Sequence, residues 1–316
     1  VIFATIDAER AHYPVHTLCR TLGVSPSGFY ASRTRPESRR AHEDRRLNVL
    51  RHASCTGGRE YYGSPRIHDD FIEWGERVSR KRIIRLKQEE GLIARVVKRY
   101  KVTTDSDHDQ PIADNVLRQD FTAQAPNQRW VGDTTELRIG DQGKAYLAAI
   151  IDLYSRFVVG WAISAVNDRH LTINALEMAL KRRCPDAGLL HHSDRGSTYA
   201  SEDYREVLAT HGITCSMSRR GNCYDNAVMD AFFSMVKSEL GEWFDSYGDA
   251  KAELFDYLEV FCNQRRRHSS AGRMSPAAYE RKMTYAAKLN RPPDRINRRM
   301  WLHVAMIEPW KPACGT

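Results

Sequence analysis

Between Gln128 and Ser164 three β-forming runs follow one another with almost nothing between them. R-W-V-G-D-T-T-E-L-R-I comes first, Gly140-Asp141 and Gly143 make a turn, and K-A-Y-L-A-A-I-I-D-L-Y-S and R-F-V-V-G-W-A-I-S complete the set. Parallel neighbours need a crossover of about a dozen residues or more, so runs this close must pair as an antiparallel meander. Strands and helices then alternate. Asp168 can cap a helix carrying Leu171, Ala175, Met178 and Ala179, and L-L-H-H-S-D is a short strand ending in an acid. Ser201 caps a helix with Tyr204, Val207 and Leu208, and Ile213 to Met217 is a fifth strand. After the loop R-R-G-N-C-Y-D-N, residues 226–240 form a last long helix. The order βββαβαβα predicts an α/β fold with a mixed sheet covered by helices.

The residues before this core read as helical. Val15, Leu18 and Leu22 share one helical face, Gly23 stops that helix, and Ser25-Pro26 is a cap followed by proline at the first helical position. A second short helix would carry Phe29, Tyr30 and Arg33. Ser64-Pro65 repeats the cap signal, Ile67, Phe71 and Trp74 follow at helical spacing, and Gly75 ends the run. Ser79 opens a helix with Arg80, Lys81, Arg82, Arg85 and Lys87 on it, and Ile83 and Leu86 mark its buried side. Two helix pairs with basic second helices resemble DNA-reading units, although helical hairpins also serve as plain packing modules.

Charge is distributed unevenly. Residues 1–101 hold 21 basic and 12 acidic residues, 102–260 hold 15 and 25, and 261–316 hold 12 and 3. Cationic ends suit phosphate backbones, and an acidic middle needs cations before it can approach them. A basic end is also an ordinary solubilising surface. No apolar stretch reaches the ~18–20 residues of a membrane span, and the first residues lack a secretory pattern, so a cytosolic location is expected. The seven cysteines include no C-x-x-C pair, which disfavours a disulfide framework or a cysteine-rich zinc site and favours reduced thiols. His12 and His16 have zinc-like spacing but lack cysteine partners.

Asp133 lies within the first strand, where alternation puts it on one face with Val131, Thr135 and Leu137. An unpaired carboxylate is costly to bury there. Asp194 ends the fourth strand, where open α/β sheets place their sites. Carboxylates so placed can hold Mg²⁺, although an isolated aspartate is often only a turn cap. The last helix offers Asp230, with 35 residues between it and Asp194, or Glu239, with 44. These two are about 900° of helix apart, hence on opposite faces. Lys237 and Asn226 fall on the face of Asp230, giving one stripe with an acid for metal and a lysine for phosphate, whereas Glu239 reads as a surface acid.

W-V-G-D around Asp133, H-S-D-R-G-S-T-Y at 192–199, R-G-N-C-Y-D-N-A-V-M-D-A-F-F at 220–233, K-S-E-L at 237–240, then C-N-Q-R-R-R-H and M-S-P-A-A-Y, occur in order. Upstream stand L-C-R-T-L-G-V-S-P-S-G-F-Y and Y-Y-G-S-P-R-I. Across about residues 14–282 the chain resembles the second-frame (OrfB) product of transposases of the insertion sequence three family. That resemblance implies a DDE-type integrase core of ribonuclease-H-like fold. It implies Asp133, Asp194 and Asp230 as catalytic acids holding two Mg²⁺ ions, with Mn²⁺ as an alternative. It also implies 3′-end cleavage and strand transfer of an insertion sequence, copied out and pasted in through a circular intermediate. The family carries glutamate at the third acid; Asp230 is one methylene shorter and reaches about 1.5 Å less far. A weakened site, a compensating shift of the helix and a deliberate change all remain open.

The expected DNA contacts are Lys237, Asn226, Arg195, Arg265, Arg266, Arg267, Arg80, Lys81, Arg82 and Arg85, with His191, His192, Asn222 and His268 as further candidates. The expected partners are double-stranded DNA (element ends and target), further copies of the chain, and the upstream-frame product OrfA. The division reads as a helix-turn-helix-like segment at 1–40, a second helical DNA-binding domain at 41–101, a linker at 102–124, the catalytic core at 125–282 and a basic tail at 283–316. Two rivals stand beside the transposase: a DNA-binding derivative that has lost its chemistry, and a ribonuclease-H-like nuclease that cuts without joining.

Overall fold

The structure, a computed structural model, describes residues 2–91, 111–141 and 143–289. Of the expected linker, 102–110 lies outside these residues, as does 290–316 of the expected tail.

Three short helices come first: α1 (Ile2–Glu9), α2 (Val15–Thr21) and α3 (Pro26–Thr34). They close on Ile6, Cys19 and Phe29. Ser25 caps α3 by accepting from the Gly28 amide at 3.0 Å. Next come α4 (Arg39–Gly57), α5 (Ser64–Glu73) and α6 (Arg80–Glu89). Ser79 caps α6 as its sequence suggests, but α5 begins one residue earlier than expected. Ser64 is inside that helix, and Gly63 stands at the cap with no side chain to offer. Leu47, Ile67, Phe71, Ile83 and Leu86 belong to the same buried cluster as one face of the sheet.

The sheet is built from β1 (Arg129–Ile139), β2 (Gly143–Asp152), β3 (Val158–Ser164), β4 (Leu190–Ser193), β5 (Thr214–Met217) and the short β6 (Trp243–Phe244). Its order is β3-β2-β1-β4-β5, with β6 pairing β1. β1, β2 and β3 form the expected antiparallel meander, and β4 and β5 join parallel to β1. Between the strands run α7 (Arg169–Arg183), the single turn α8 (Ser197–Ala200) and α9 (Glu202–Thr210). After β5 come α10 (Ala227–Glu239), α11 (Tyr247–Phe255), a π-helical stretch Asp256–Cys262, and α12 (Pro276–Leu289). Asp168 and Ser201 cap α7 and α9.

Alternation along β1 divides two apolar layers. Val131 and Leu137 face Met229, Phe232, Phe233 and Val236 of α10. Trp130 faces Leu171, Ala175, Leu176 and Ala179 of α7. Gly132 is required on this second face, because a Cβ there would meet His191 Cε1 at 2.9 Å. Cys19, Cys55, Cys215 and Cys262 are free thiols. The exposed Cys184 is disulfide-bonded, so the expectation of reduced thiols fails at that position.

The helices α4–α6 are fastened to the core by polar contacts. Arg267 Nε donates to Asp70 Oδ1 at 2.6 Å, and the Arg267 amide donates to the Tyr62 hydroxyl at 3.1 Å. The Tyr61 hydroxyl donates to the Ser238 carbonyl at 2.9 Å, and Arg59 pairs with Asp256 while lying over the Tyr257 and Phe261 rings.

Candidate active site

β1 and β4 run parallel with Trp130 opposite His191 and Val131 opposite His192. Continuing that register by two residues sets Asp194 beside Asp133. Register neighbours in a parallel pair point the same way, so both aspartates lie on the face covered by α10. Asn226, at the start of α10, donates from Nδ2 to the Gly132 carbonyl at 3.4 Å and ties that helix end beside Asp133. Asp230 sits in the first turn of α10.

The electrostatics confirm that these acids are neighbours. Burial pushes the Asp133 carboxyl well above the usual range, and the charges of Asp194 and Asp230 push it further. Asp230 is raised by burial and then by Asp194. Tyr199 also senses the site: its hydroxyl is buried without a hydrogen-bond partner, and burial, Tyr204, Asp133 and Asp194 all raise it.

The donor set suits a hard divalent cation in kind, being carboxylate oxygen. It is not gathered into a ligand shell. Among the described residues no group of three or more His, Cys, Asp or Glu is close enough to hold a metal. Two observations account for the spread. Asp133 Oδ1 accepts from the Thr134 amide at 2.7 Å and Asp194 Oδ1 from the Gly196 amide at 2.9 Å, so both carboxylates lean on their own backbone.

Several expected DNA contacts are used otherwise. Arg266 is a correction: its guanidinium is inside the protein, paired with Glu239, with only 7% of the side chain exposed. Glu239 is a correction too, being buried at 3% rather than a surface acid. Both follow from the π-helical stretch, which packs Tyr257 and Cys262 over the end of α10. Asn226 is 6% exposed and turned toward β1. Arg267 is held by Asp70 and Glu73. Arg82 pairs with Glu43 and Asp44, and Arg85 with Asp44 and Glu89. Arg195 Nε donates to the Ser218 carbonyl at 2.6 Å. Arg80, Lys81 and Arg265 are exposed, and Lys237 is partly exposed on α10.

His191 and His192 are structural. The Tyr204 hydroxyl meets His191 Nε2 at 2.7 Å, and burial lowers His191 to about 3. His192 is held by Ser216 and Ser218, and burial lowers it to about 4. Asn222 caps the turn before α10 by accepting from the Tyr224 amide.

Sequence reading passed over Asp225. It is fully buried and accepts from Arg219 Nε at 3.0 Å and Nη2 at 2.8 Å, the Arg219 amide at 2.8 Å, Asn115 Nδ2 at 2.8 Å and Gln119 Nε2 at 2.8 Å. Ser216 Oγ accepts from the Val116 and Leu117 amides. Residues 115–119 therefore strap the loop that launches α10. No periodicity marks Asp225; its only signal is its place next to Asn226.

Residues 123–223 and 211–276 match the integrase core domain, and residues 41–100 match an HTH-like domain. The chain is 40% identical over 267 residues, 84% of its own length and 98% of the other's, to the insertion element IS600 uncharacterized 31 kDa protein of Shigella sonnei. It is 37% identical over 285 residues, 89% and 98% of the two lengths, to transposase InsF for insertion sequence IS3A of Escherichia coli (strain K12).

This chain belongs to the IS3 family of transposases.

The transposase is thus a DDE-type polynucleotidyl transferase with a ribonuclease-H-like integrase core. Among solved structures, the catalytic core domain of HTLV-2 integrase in complex with magnesium is 17% identical to the transposase, covering 50% of it and 98% of that chain, with a TM-score of 0.37. A simian T-cell lymphotropic virus intasome in complex with PP2A regulatory subunit B56 gamma is 13% identical, covering 67% and 66%, with a TM-score of 0.40. No helix of the transposase among the described residues is long and apolar enough to cross a membrane.

Proposed function

We propose that Asp133, Asp194 and Asp230 are the catalytic acids with which this transposase cleaves the 3′ ends of its insertion sequence and joins them to target DNA. The observation that carries the reading is the β1–β4 register, which sets Asp194 beside Asp133 under the first turn of α10. Two divalent ions held by these carboxylates, Mg²⁺ with Mn²⁺ as the alternative, would neutralise charge on the attacking and leaving oxygens of an in-line displacement at phosphorus. Water attacks in the first step and releases a 3′-hydroxyl, which attacks target phosphorus in the second. Each displacement exchanges one P–O bond for another, so no covalent protein–DNA intermediate is needed. The chain's own share is positional. Gly132 and Asn226 fix α10 to β1, and the Asp225 strap fixes the loop before it. Lys237 is the residue assigned to phosphate near the cleaved end.

The proposed domains are a helix-turn-helix-like segment at 1–40, a second DNA-binding domain at 41–101, a linker at 102–124, the catalytic core at 125–282 and a basic tail at 283–316. Double-stranded DNA is the substrate, further copies of the chain bring two element ends together, and OrfA is the partner in the upstream frame. The bacterial nucleoid is the expected place of action.

The test is a nicking assay on DNA carrying the cognate element end, in Mg²⁺. Asp133→Asn and Asp194→Asn are expected to reduce 3′ nicking and strand-transfer product to background. Wild-type activity in either variant would remove that residue from the site. Aspartate rather than glutamate at position 230 also favours a second reading, a DNA-binding derivative with impaired chemistry. That reading expects tight, salt-sensitive DNA binding by the wild-type chain without nicking. Nicking without strand-transfer product would instead mark a nuclease.

A further inference from the structure

Two sequence motifs that the catalytic reading leaves aside meet in space. Gly63, Pro65, Arg66 and Asp69, from Y-Y-G-S-P-R-I and α5, line a cavity of about 270 Å³ with Arg267, His268, Ser269 and Arg273 from the segment after the π-helical stretch. That volume is below the ~300–1,000 Å³ of pockets for drug-sized ligands, so the occupant is a small group.

The lining leaves one of its three arginines without an ion pair among the described residues. Arg267 is held by Asp70 and Glu73, and Arg273 meets Asp69 at 3.2 Å. Arg66 has no carboxylate partner among the described residues; its guanidinium lies 5.5 Å from the centre of the Tyr62 ring. Burial and the nearby charge of Arg266 lower its affinity for a proton, and the charge of Glu239 offsets part of that. The partly desolvated cation therefore gains from an anion more than an exposed arginine would. His268 has a buried Nε2 with no hydrogen-bond partner, and burial together with Arg266, Arg66 and Arg156 keeps its ring neutral, lowered to about 3. The N-terminus of α5, a helix of 10 residues, opens at Gly63 without a side-chain cap, which adds the positive end of the helix dipole.

We propose that this cavity, between α5 and the 267–273 segment, is a phosphate seat in which Arg66 is the principal cation and a backbone phosphate of bound DNA is the occupant. The choice of DNA rests on the transposase reading; the anion chemistry does not. A single phosphate here touches both the HTH-like region and the catalytic core, so DNA that fills it fixes one against the other. Arg66 is a binding residue in this scheme.

Two measurements on the full chain separate the site from its source. The first is thermal unfolding without DNA, with inorganic phosphate added against chloride at equal ionic strength. Phosphate at about ten times its dissociation constant is expected to raise the melting temperature by about 2–4 °C, and Arg66→Gln to abolish the rise. The second is the dependence of DNA affinity on salt. Arg66→Gln is expected to lower the log–log slope by about 1 and to weaken binding to all sequences alike. Arg66→Lys, which keeps the charge, controls for folding and is expected to retain most of both effects. A phosphate shift lost in Arg66→Gln with an unchanged DNA slope would keep the phosphate seat and overturn DNA as its source. A melting temperature indifferent to phosphate in the wild-type chain would overturn the seat itself. Failure of the wild-type chain to bind DNA would count against the transposase reading and against the DNA source, while the phosphate arm still decides the seat.

Discussion

Arg266 meets Glu239 inside the protein: Nε donates to Oε2 at 3.0 Å, and the two side chains are 7% and 3% exposed. The Tyr257 hydroxyl donates to the same carboxylate at 2.8 Å. The pair joins the last turn of α10 to the chain beyond the π-helical stretch. Breaking a buried pair from one side strands the other charge, at a cost of about 3–5 kcal/mol. Arg266→Met is therefore expected to lose that much stability in urea unfolding. Arg266→Met with Glu239→Leu is expected to recover most of it, because two apolar groups replace the pair. A single variant within about 1 kcal/mol of wild type would show that the pair is not buried in solution.

Asp230 is shorter by one methylene than the glutamate the family resemblance puts at this position. If the spread of the acids reflects that shortfall, Asp230→Glu is expected to increase nicking by up to about 100-fold, the scale of a ~1 Å correction at a reacting centre. Asp230→Ala is expected to be inactive. Glu239 cannot stand in, since Arg266 and Tyr257 occupy its carboxylate. Unchanged nicking by both Asp230 variants in the end-cleavage assay would exclude Asp230 as the third acid.

Asp225 holds the strap by charge-assisted hydrogen bonds from Arg219, Asn115 and Gln119. The Arg219 guanidinium keeps its carboxyl far below the usual carboxylate range. An amide in its place offers one acceptor and adds donors. Asp225→Asn is expected to cost about 2–4 kcal/mol and to speed amide hydrogen exchange at residues 115–119. Exchange there at the wild-type rate would mean that the strap is held by Ser216 alone.

Asp152 gives a pH dependence with a definite sign. It is buried at the end of β2, accepts from the Asn127 and Tyr154 amides, and burial raises its carboxyl to about 6. The folded chain therefore takes up a proton before the unfolded chain does as pH falls. The cost of the buried anion is fully present above about pH 6 and disappears toward the ordinary carboxylate range. Between about pH 7 and pH 4 the stability of wild type relative to Asp152→Asn is expected to rise by about 2–3 kcal/mol. Parallel urea-unfolding profiles for the two proteins would show that Asp152 titrates normally.

Local signals were strong wherever the physics was local. Ser25, Ser79, Asp168 and Ser201 cap their helices because a cap needs only an oxygen and an amide about three residues on. The β1–β3 meander was readable because short turns leave no other pairing. Alternation placed Asp133, and the strand end placed Asp194, without knowledge of what lay across the sheet.

Charge was readable only as a total. Nothing near Arg266 or Arg267 in the chain says whether a guanidinium reaches DNA or an internal acid. Arg267 finds Asp70 across 197 positions, and Arg266 finds Glu239 across 27. The sequence by itself determined the βββαβαβα order of the core, the caps at Ser25, Ser79, Asp168 and Ser201 and the strands on which the first two acids ride, because propensity, periodicity and capping act over a few residues. Only the tertiary structure decided which cations are consumed in pairs, how Asp225 anchors the strap and where Arg66 is left without an ion pair among the described residues. Those outcomes depend on which distant surfaces are desolvated together, and the free energy of a charge is set by the groups that surround it after folding.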